Sequence, residues 1–267
     1  MARFHDASPG AMVRVGLAPC APFSGTTQLL TESAALARSL GVRLHTHLAE
    51  TLDEEDYCQD RHGCGPVEYL DRLGWLGDDV WLAHGVHLDQ AAIARLAATG
   101  TGVAHCPSSN ARLGAGTAPV RALLDASVPV GLGVDGAASQ EAGRLVDELR
   151  QAVYAARIRP QGDGPRALAV RQALAIATIG GARCLGWDDE IGSLEVGKLA
   201  DVALWRVDGL GHAGIADPVA ALVLGSAPSL ELLAVGGRVV VERDVSSTVD
   251  EAEVVADLRR ACETVRV

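Results

Sequence analysis

The sequence lacks any long run of basic residues. No stretch of Lys and Arg exceeds two residues, the formal net charge is -11, and the sequence pI is near 5.1. Binding to a polyanion such as DNA or RNA requires a positive surface, so the composition argues against a nucleic-acid partner. The same charge is compatible with a small-molecule ligand or with a metal cation held by carboxylates.

Aromatic side chains are also scarce. They make up 3% of the chain against 48% hydrophobic residues, and there are 30 glycines. Ala, Val and Leu must therefore build the interior, with help from close backbone packing at glycine. This composition is typical of an α/β protein, and 267 residues are enough to bury a substantial core.

Signals for secretion, disulfide bonding or membrane insertion are missing too. The chain has no CxxC pair, no signal peptide, and no apolar stretch that approaches bilayer-spanning length without a charge or a turn interrupting it. These absences predict a soluble cytoplasmic protein with no membrane partner and with reduced thiols at Cys20, Cys58, Cys64, Cys106, Cys184 and Cys262. The oligomeric state stays open, and a homo-oligomer is compatible with the sequence.

Strand-then-helix units recur along the first half of the chain. Five apolar runs are predicted as strands, at residues 13–18, 42–50, 80–85, 101–106 and 128–135. Helix-compatible sequence follows each run, and the units are spaced by about 21 to 38 residues, close to the roughly thirty residues per unit of a (β/α)8 barrel.

The sequence changes character after these units. Two long helical patterns are predicted at residues 141–158 and 168–185, and short apolar strands then alternate with glycine turns. We therefore predict three parts: a barrel portion at 1–189, a small β domain at 190–248, and a closing helix at 249–267.

Polar and titratable residues cluster at the carboxyl ends of four consecutive predicted strands. Loops are polar everywhere, so a single strand-end histidine is weak evidence, but four strands in a row favour the active-site edge of a barrel. The residues concerned are His45, His47, Glu50, His84, His87, His105, Cys106 and Asp135.

Three of these segments suggest metal chemistry. In His47-Leu-Ala-Glu50 a strand-end imidazole can bind a divalent metal, and the carboxylate three residues later can shuttle protons to and from the water which that metal activates. His84 and Asp135 could each bind the metal or hold the attacking oxygen by hydrogen bonds.

Four motifs together resemble the amidohydrolase superfamily: HTHLAE at 45–50, AHGVHL at 83–88, HCPSSN at 105–110 and GLGVDG at 131–136. The resemblance covers nearly the whole chain and is strongest to the 8-oxoguanine deaminases of its purine and triazine deaminase branch. It implies hydrolysis of the amino group of 8-oxoguanine to give urate and ammonia. It also implies one divalent metal ion, with zinc as the preferred metal and iron as the alternative.

The resemblance assigns roles to individual residues. It makes His47 the metal ligand from the fifth barrel strand and Asp135 the ligand from the eighth. Glu50 becomes the proton shuttle, and His84 holds the attacking water. Asp135 also takes part in proton transfer, so the implied catalytic set is Glu50, His84 and Asp135.

The implied fold is a partial (β/α)8 TIM-type barrel, strands 4 to 8, followed by the C-terminal part of a small β domain. The superfamily's other ligands are a His-x-His pair on the first barrel strand. The single HxH here, His45-Thr-His47, falls on the fifth strand. We therefore expect the chain to begin at the fourth barrel strand, with three strand-and-helix units and the HxH pair lying outside it.

The substrate pocket is less well defined by sequence. Candidate lining residues are His87, His105, Cys106, Asn110, Arg112 and Cys20. For the two cysteines packing is the favoured alternative, and for Arg112 a solvated side chain is a comparable one. After Asp135, Ala137, Gln140 and Glu141 replace the small hydroxyl residue and the Asn-Asp pair expected from the related enzymes. Alternative functions are therefore a related aminopurine, pterin, S-adenosylhomocysteine or s-triazine hydrolase, or an inactive remnant or binding protein.

Overall fold

The chain divides into two compact units, Met1–Ser193 and Leu194–Val267. The structure, a computed structural model, describes residues 4–160 and 162–265. The sequence-based boundary lies close by, at residues 189–190, and the functional labels given to the parts stay predictions.

A parallel sheet forms the centre of the first unit. Its strands are β1 (Leu44–Leu48), β2 (Val80–His84), β3 (Gly102–His105) and β4 (Val130–Leu132), in the order β1-β2-β3-β4. All three pairings are parallel, with β1 against β2, β2 against β3 and β3 against β4. Because consecutive parallel strands lie side by side, their carboxyl ends form one continuous edge. The predicted α/β class is confirmed.

The predicted strand at 13–18 is wrong as a strand. Only Leu17 forms an isolated parallel bridge, to Leu44, with the Leu17 N–H 2.9 Å from the Arg43 carbonyl oxygen and the His45 N–H 2.9 Å from the Leu17 carbonyl oxygen. Pro19, which lacks an N–H, follows two residues later and cannot donate to a ladder. The pairing therefore does not extend to the length of a strand.

Helices connect and cover these strands. In chain order they are α1 (Thr27–Leu40), α2 (Leu52–His62), α3 (Pro66–Arg72), α4 (Gln90–Thr99), α5 (Pro107–Arg112), α6 (Val120–Asp125) and α7 (Leu145–Ile158). The single helix predicted over 53–73 is broken because Gly63 adopts a left-handed φ of 67° and Pro66 starts a new helix. Strand and helix side chains such as Leu44, Leu82, Val103, Leu30 and Leu96 are buried and form the core.

The predicted helix at 168–185 is one helical path made of three segments, of which the middle one is π-helical. It comprises α8 (Val170–Ala175), a π-helical turn (Ile176–Gly180) and α9 (Gly181–Leu185), after a 3-10 turn at Gly164–Arg166. By length and composition alone, Gly164–Leu185 is the one candidate for a membrane-crossing helix among the described residues, and a third of its apolar window is buried. A Cβ added at Gly131 in β4 would lie 3.0 Å from the Gly181 Cα, so this segment packs tightly on the sheet.

The second unit is a small antiparallel sheet with two helices. Its strands are β5 (Val202–Arg206), β6 (Ser229–Val235), β7 (Arg238–Glu242) and β8 (Val245–Ser246), in the order β5-β6-β7-β8. Helix α10 (Pro218–Leu224) connects β5 to β6, and α11 (Glu251–Val265) follows β8. No described residue of α11 is buried, so this helix contributes no core of its own.

Candidate functional site

Three predicted site residues meet at the carboxyl edge of the parallel sheet. His47 lies near the end of β1, His84 ends β2, and Asp135 follows β4. One possible ligand atom from each lies within 4.8 Å of the others, and the two imidazole ring centroids are 5.4 Å apart. Residues from three strand ends thus form one cluster.

The backbone around the cluster adopts unusual conformations. His84 has a φ of 73°, Asp135 of 68°, and Ala49, beside Glu50, of 51°. Left-handed conformations at non-glycine residues cost on the order of 1–3 kcal/mol each and persist where the surrounding structure requires them, often at functional sites. In this protein the three residues lie at or just past the ends of β1, β2 and β4, where the backbone leaves the sheet beside the site.

His47 is oriented by a backbone carbonyl. Its Nδ1 lies 2.7 Å from the carbonyl oxygen of Cys20, which can only accept a hydrogen bond. Nδ1 therefore donates, and in the neutral ring the lone pair is on Nε2, the usual arrangement for a metal-binding imidazole. Cys20, a candidate pocket residue, contributes its carbonyl group to this contact.

His84 is almost fully buried, at 1% exposure, and is held by an amide. Its Nδ1 donates to the Asn110 Oδ1 at 2.9 Å. Its Nε2 lies 3.6 Å from the Glu50 Oε2 and 3.9 Å from the Asp135 Oδ2. One imidazole edge thus faces both carboxylates that the sequence assigned to proton transfer.

Asp135 is held by two hydroxyl groups that sequence reasoning did not single out. Its Oδ2 accepts hydrogen bonds from the Ser109 Oγ at 2.5 Å and the Ser139 Oγ at 3.0 Å. Partial burial acts to raise the pKa of Asp135, but these bonds and one from the Gly136 backbone outweigh it and lower the pKa. The carboxylate is thus the favoured form. A hydroxyl residue four positions after a strand-end Asp was the available signal for Ser139.

The backbone of Glu50 is held by a second carboxyl group, that of Glu54, which the sequence analysis did not identify. The Glu54 Oε2 accepts the Glu50 backbone N–H at 3.1 Å, and Glu54 is only 1% exposed. Burial raises the pKa of Glu54 to about 7. The Glu50 carboxyl group itself remains partly accessible beside His84, with 21% of its side chain exposed.

Two further candidates lie deep beside the cluster. His105 is 1% exposed, and burial lowers its pKa to about 4. Cys106 is 3% exposed, and burial, followed by the nearby charge of Asp135, raises its pKa to about 12. Both groups are therefore uncharged at neutral pH.

Three other histidine and arginine candidates have partners outside the cluster. His87 lies 3.0 Å through Nε2 from the Ala115 carbonyl oxygen and lines a separate cavity of about 160 Å³. Arg112 is exposed and pairs with Glu141 at 3.3 Å. The His45 ring stacks on the Trp81 indole with centroids 4.8 Å apart, a packing arrangement.

The donor set fits a divalent transition metal. His47 and His84 each donate through Nδ1 to an oxygen, which leaves both Nε2 lone pairs available, and the His84 Nε2 lies 3.9 Å from the Asp135 Oδ2. Two imidazoles and a carboxylate are ligands that zinc commonly takes, and iron takes the same types.

Comparison with known proteins identifies the class. The profile of the amidohydrolase family matches residues 1–240. With the fold and the strand-end cluster described above, this match shows that the chain belongs to the amidohydrolase family.

Two relatives of known name are similar to this chain over nearly all of its length. The chain is 47% identical over 261 residues to the 8-oxoguanine deaminase of Pseudomonas aeruginosa strain PAO1, covering 98% of this chain and 57% of that protein. It is 42% identical over 273 residues to an isoxanthopterin deaminase from an unknown prokaryotic organism, covering 97% and 56%. The chain thus spans somewhat more than half the length of these relatives.

A solved structure has a similar fold and is likewise matched over somewhat more than half of its length. A variant of atrazine chlorohydrolase from Arthrobacter aurescens TC1, in complex with zinc and atraton, superposes with a TM-score of 0.91 at 36% identity. The match covers 97% of this chain and 57% of that one.

Proposed function

We propose that this chain carries the chemistry of a metal-dependent hydrolytic deaminase whose substrate is 8-oxoguanine and whose products are urate and ammonia. The observation that carries the proposal is the convergence of His47, His84 and Asp135 within 4.8 Å, with Glu50 beside His84. The 47% identity to an 8-oxoguanine deaminase supports the choice of substrate.

The proposed architecture is a (β/α)8 barrel portion comprising strands 4 to 8. Support comes from the order of β1 to β4 in one parallel sheet and from the bridge at Leu17, which occupies the position of the first of these five strands. The C-terminal unit would then be part of a small β domain. In this arrangement the cluster lies where barrel enzymes place their active sites.

The proposed metal ligands are His47 and Asp135, with zinc as the metal and iron as the alternative. When bound, such a metal acts as a Lewis acid that makes hydroxide available from water at neutral pH. His84 offers a third donor from the same cluster. Its place between Glu50 and Asp135 suits it to holding the attacking oxygen by a hydrogen bond.

The protein side chains would move the protons. Glu50 would protonate a ring nitrogen of the substrate while water adds to the carbon that bears the amino group, and it would recover a proton from the added hydroxyl group as the ring carbonyl forms. Asp135 would receive the water's proton and pass it toward the departing ammonia. The net change is one water consumed, the C–N bond broken, a ring carbonyl formed and ammonia released.

The substrate pocket and the setting of the protein are part of the same proposal. The candidates His87, His105, Cys106, Arg112 and Cys20 remain predicted substrate contacts, whereas the buried side chain of Asn110 contacts His84 instead. All six cysteines are free, which fits a reducing compartment such as the cytoplasm. The proposed partner is a small purine-like molecule, without nucleic acid or membrane.

Turnover of a substrate panel tests the function. Purified protein loaded with zinc is assayed for ammonia release from 8-oxoguanine, isoxanthopterin, guanine and an aminotriazine. We expect kcat/KM to be at least tenfold higher for 8-oxoguanine than for the others. A higher value for the pterin or the triazine would reassign the substrate. Stoichiometric zinc without turnover of any compound would favour a binding protein.

A further inference from the structure

Helix α5 connects two groups of the site through consecutive residues. The Ser109 Oγ donates to the Asp135 Oδ2 at 2.5 Å, and the Asn110 Oδ1 accepts from the His84 Nδ1 at 2.9 Å. Ser109 and Asn110 are 0% and 1% exposed. One buried turn of helix therefore sets the orientation of an imidazole and a carboxylate that face each other.

This turn is itself anchored by a buried carboxylate. Glu148, in α7, is 0% exposed, and its Oε2 accepts the Ser108 backbone N–H at 3.0 Å. Its Oε1 accepts from the Gln140 Nε2 at 3.0 Å, next to Ser139, the second hydroxyl on Asp135. The position of α5 is therefore fixed relative to β4 and its loop.

The amide of Asn110 specifies one form of the His84 ring. An amide oxygen cannot donate, so the His84 Nδ1 carries the proton and the neutral ring keeps its lone pair on Nε2. Nε2 is the atom that faces Glu50 and Asp135. In the opposite tautomer Nε2 would carry the proton, so it could neither accept a hydrogen bond from water nor offer a lone pair to a metal.

We propose that Asn110 is a positioning residue that fixes His84 in its Nδ1–H tautomer through the 2.9 Å contact between the Asn110 Oδ1 and the His84 Nδ1. Its side chain is too deeply buried to reach a substrate directly, so it acts through His84. The catalytic consequence of this contact depends on the proposed function, whereas the tautomer itself does not.

Nitrogen-15 NMR of the histidine rings tests the tautomer without an activity assay. In the metal-free chain at pH 7.5 we expect His84 to show the Nδ1–H pattern. Asn110→Leu, which has a similar shape and no acceptor, should shift His84 to the Nε2–H form or to a mixture. Asn110→Asp, which keeps an acceptor oxygen, should retain the Nδ1–H form. If the leucine does not pack, Asn110→Ala provides the same test.

The chain offers two controls. His47 serves as an internal reference because its Nδ1 bonds to the backbone carbonyl of Cys20, which no substitution at position 110 removes. Ser108→Ala is the matched variant within α5, since Ser108 bonds to Glu148 through its backbone N–H. The His47 ring should keep its wild-type signals in every Asn110 variant, and the His84 ring should keep its wild-type signals in Ser108→Ala.

Kinetics test the consequence for the proposed reaction. Loss of one hydrogen bond that orients such an imidazole typically lowers activity by about 10- to 100-fold. We expect kcat to fall by that factor in Asn110→Leu with KM within about threefold, and to recover largely in Asn110→Asp. Retention of the Nδ1–H signal in Asn110→Leu would overturn the positioning role whatever happens to kcat. A lost signal with unchanged kcat would overturn the catalytic consequence. A wild-type chain that shows the expected tautomer but no turnover would count against the proposed function alone.

Discussion

Glu50 is the residue on which the proposed acid–base chemistry depends. Replacing it with Gln preserves the shape of the side chain and removes the transferable proton. Since general acid–base groups contribute about 100- to 10,000-fold, we expect kcat of Glu50→Gln to fall by that factor with unchanged zinc content. Steady-state kinetics and elemental analysis of the same preparation test this. Activity within a few-fold of the parent would remove Glu50 from the mechanism.

Zinc content and turnover, measured together, distinguish the proposed metal ligands from His84, the residue proposed to hold the attacking water. We expect His47→Ala and Asp135→Ala to lower zinc content as well as turnover, and His84→Ala to lower turnover more than zinc content. Cys20→Ala is the control for zinc content, because the Cys20 carbonyl that orients His47 belongs to the backbone. Full zinc occupancy in His47→Ala, measured after dialysis, would show that the ligand assignment is wrong.

Because Glu54 is buried, we expect the free energy of unfolding to decrease as the pH rises. Its pKa is about 7 in the folded chain against an ordinary 4.5, so the folded state holds this proton more tightly than the unfolded state. The resulting stability is present below about pH 4.5 and is lost as the pH rises through 7. The loss is on the order of 3 kcal/mol at pH 8.

Glu54→Gln should remove that loss, because the neutral amide still offers an oxygen to the Glu50 N–H. Denaturant unfolding at pH 5 and pH 8 should show the variant gaining stability over the parent at the higher pH. Asp56→Asn, an exposed position in the same helix α2, is the matched control and should change little. Equal gains from both variants would mean that net charge, rather than burial of Glu54, sets the pH dependence.

At the scale of elements, close packing between β4 and α9 holds the segment that carries Asp135. Gly131 leaves room for the Gly181 Cα, which a Cβ at position 131 would approach to 3.0 Å. Gly131→Ala should therefore destabilise the first unit by about 1–3 kcal/mol, the usual effect of overpacking. Gly136→Ala, where a Cβ meets open space, should be close to neutral. Thermal unfolding of the two variants compares them directly, and equal melting temperatures would contradict the packing argument.

At the scale of the whole molecule, the segment that follows the first unit is open to proteases. Leu194 and Val196 have relative exposures of 82% and 109%, whereas Val130 and Gly131 in β4 are buried. We expect brief treatment with elastase to cleave between residues 193 and 198 before any site within the parallel sheet. Mass spectrometry of the first fragments would show this, and early cleavage inside residues 44–132 would contradict the division into two units.

The sequence alone predicted the parallel sheet and the centre of the site. The runs that contain β1 to β4 are apolar and are followed by helical patterns, and both are local signals. Because the carboxyl ends of neighbouring parallel strands share one edge, His47, His84 and Asp135 could be expected to meet there, and the structure brings them within 4.8 Å. The break between α2 and α3 was missed although Gly63 and Pro66 are local signals for it. The reduction of residues 13–18 to one bridge was missed as well, since it depends on how Pro19 meets the sheet.

Tertiary structure alone decided how each site group is held. The Cys20 carbonyl reaches His47 across 27 positions, and Asn110 and Ser109 reach His84 and Asp135 across 26 positions each. Periodicity and spacing report which face of an element a residue lies on, but not which distant group completes its hydrogen bonds. Those partners are set by the packing of α5 against α7 and by the turn of the backbone at each strand end, and both arise only when the whole unit has folded.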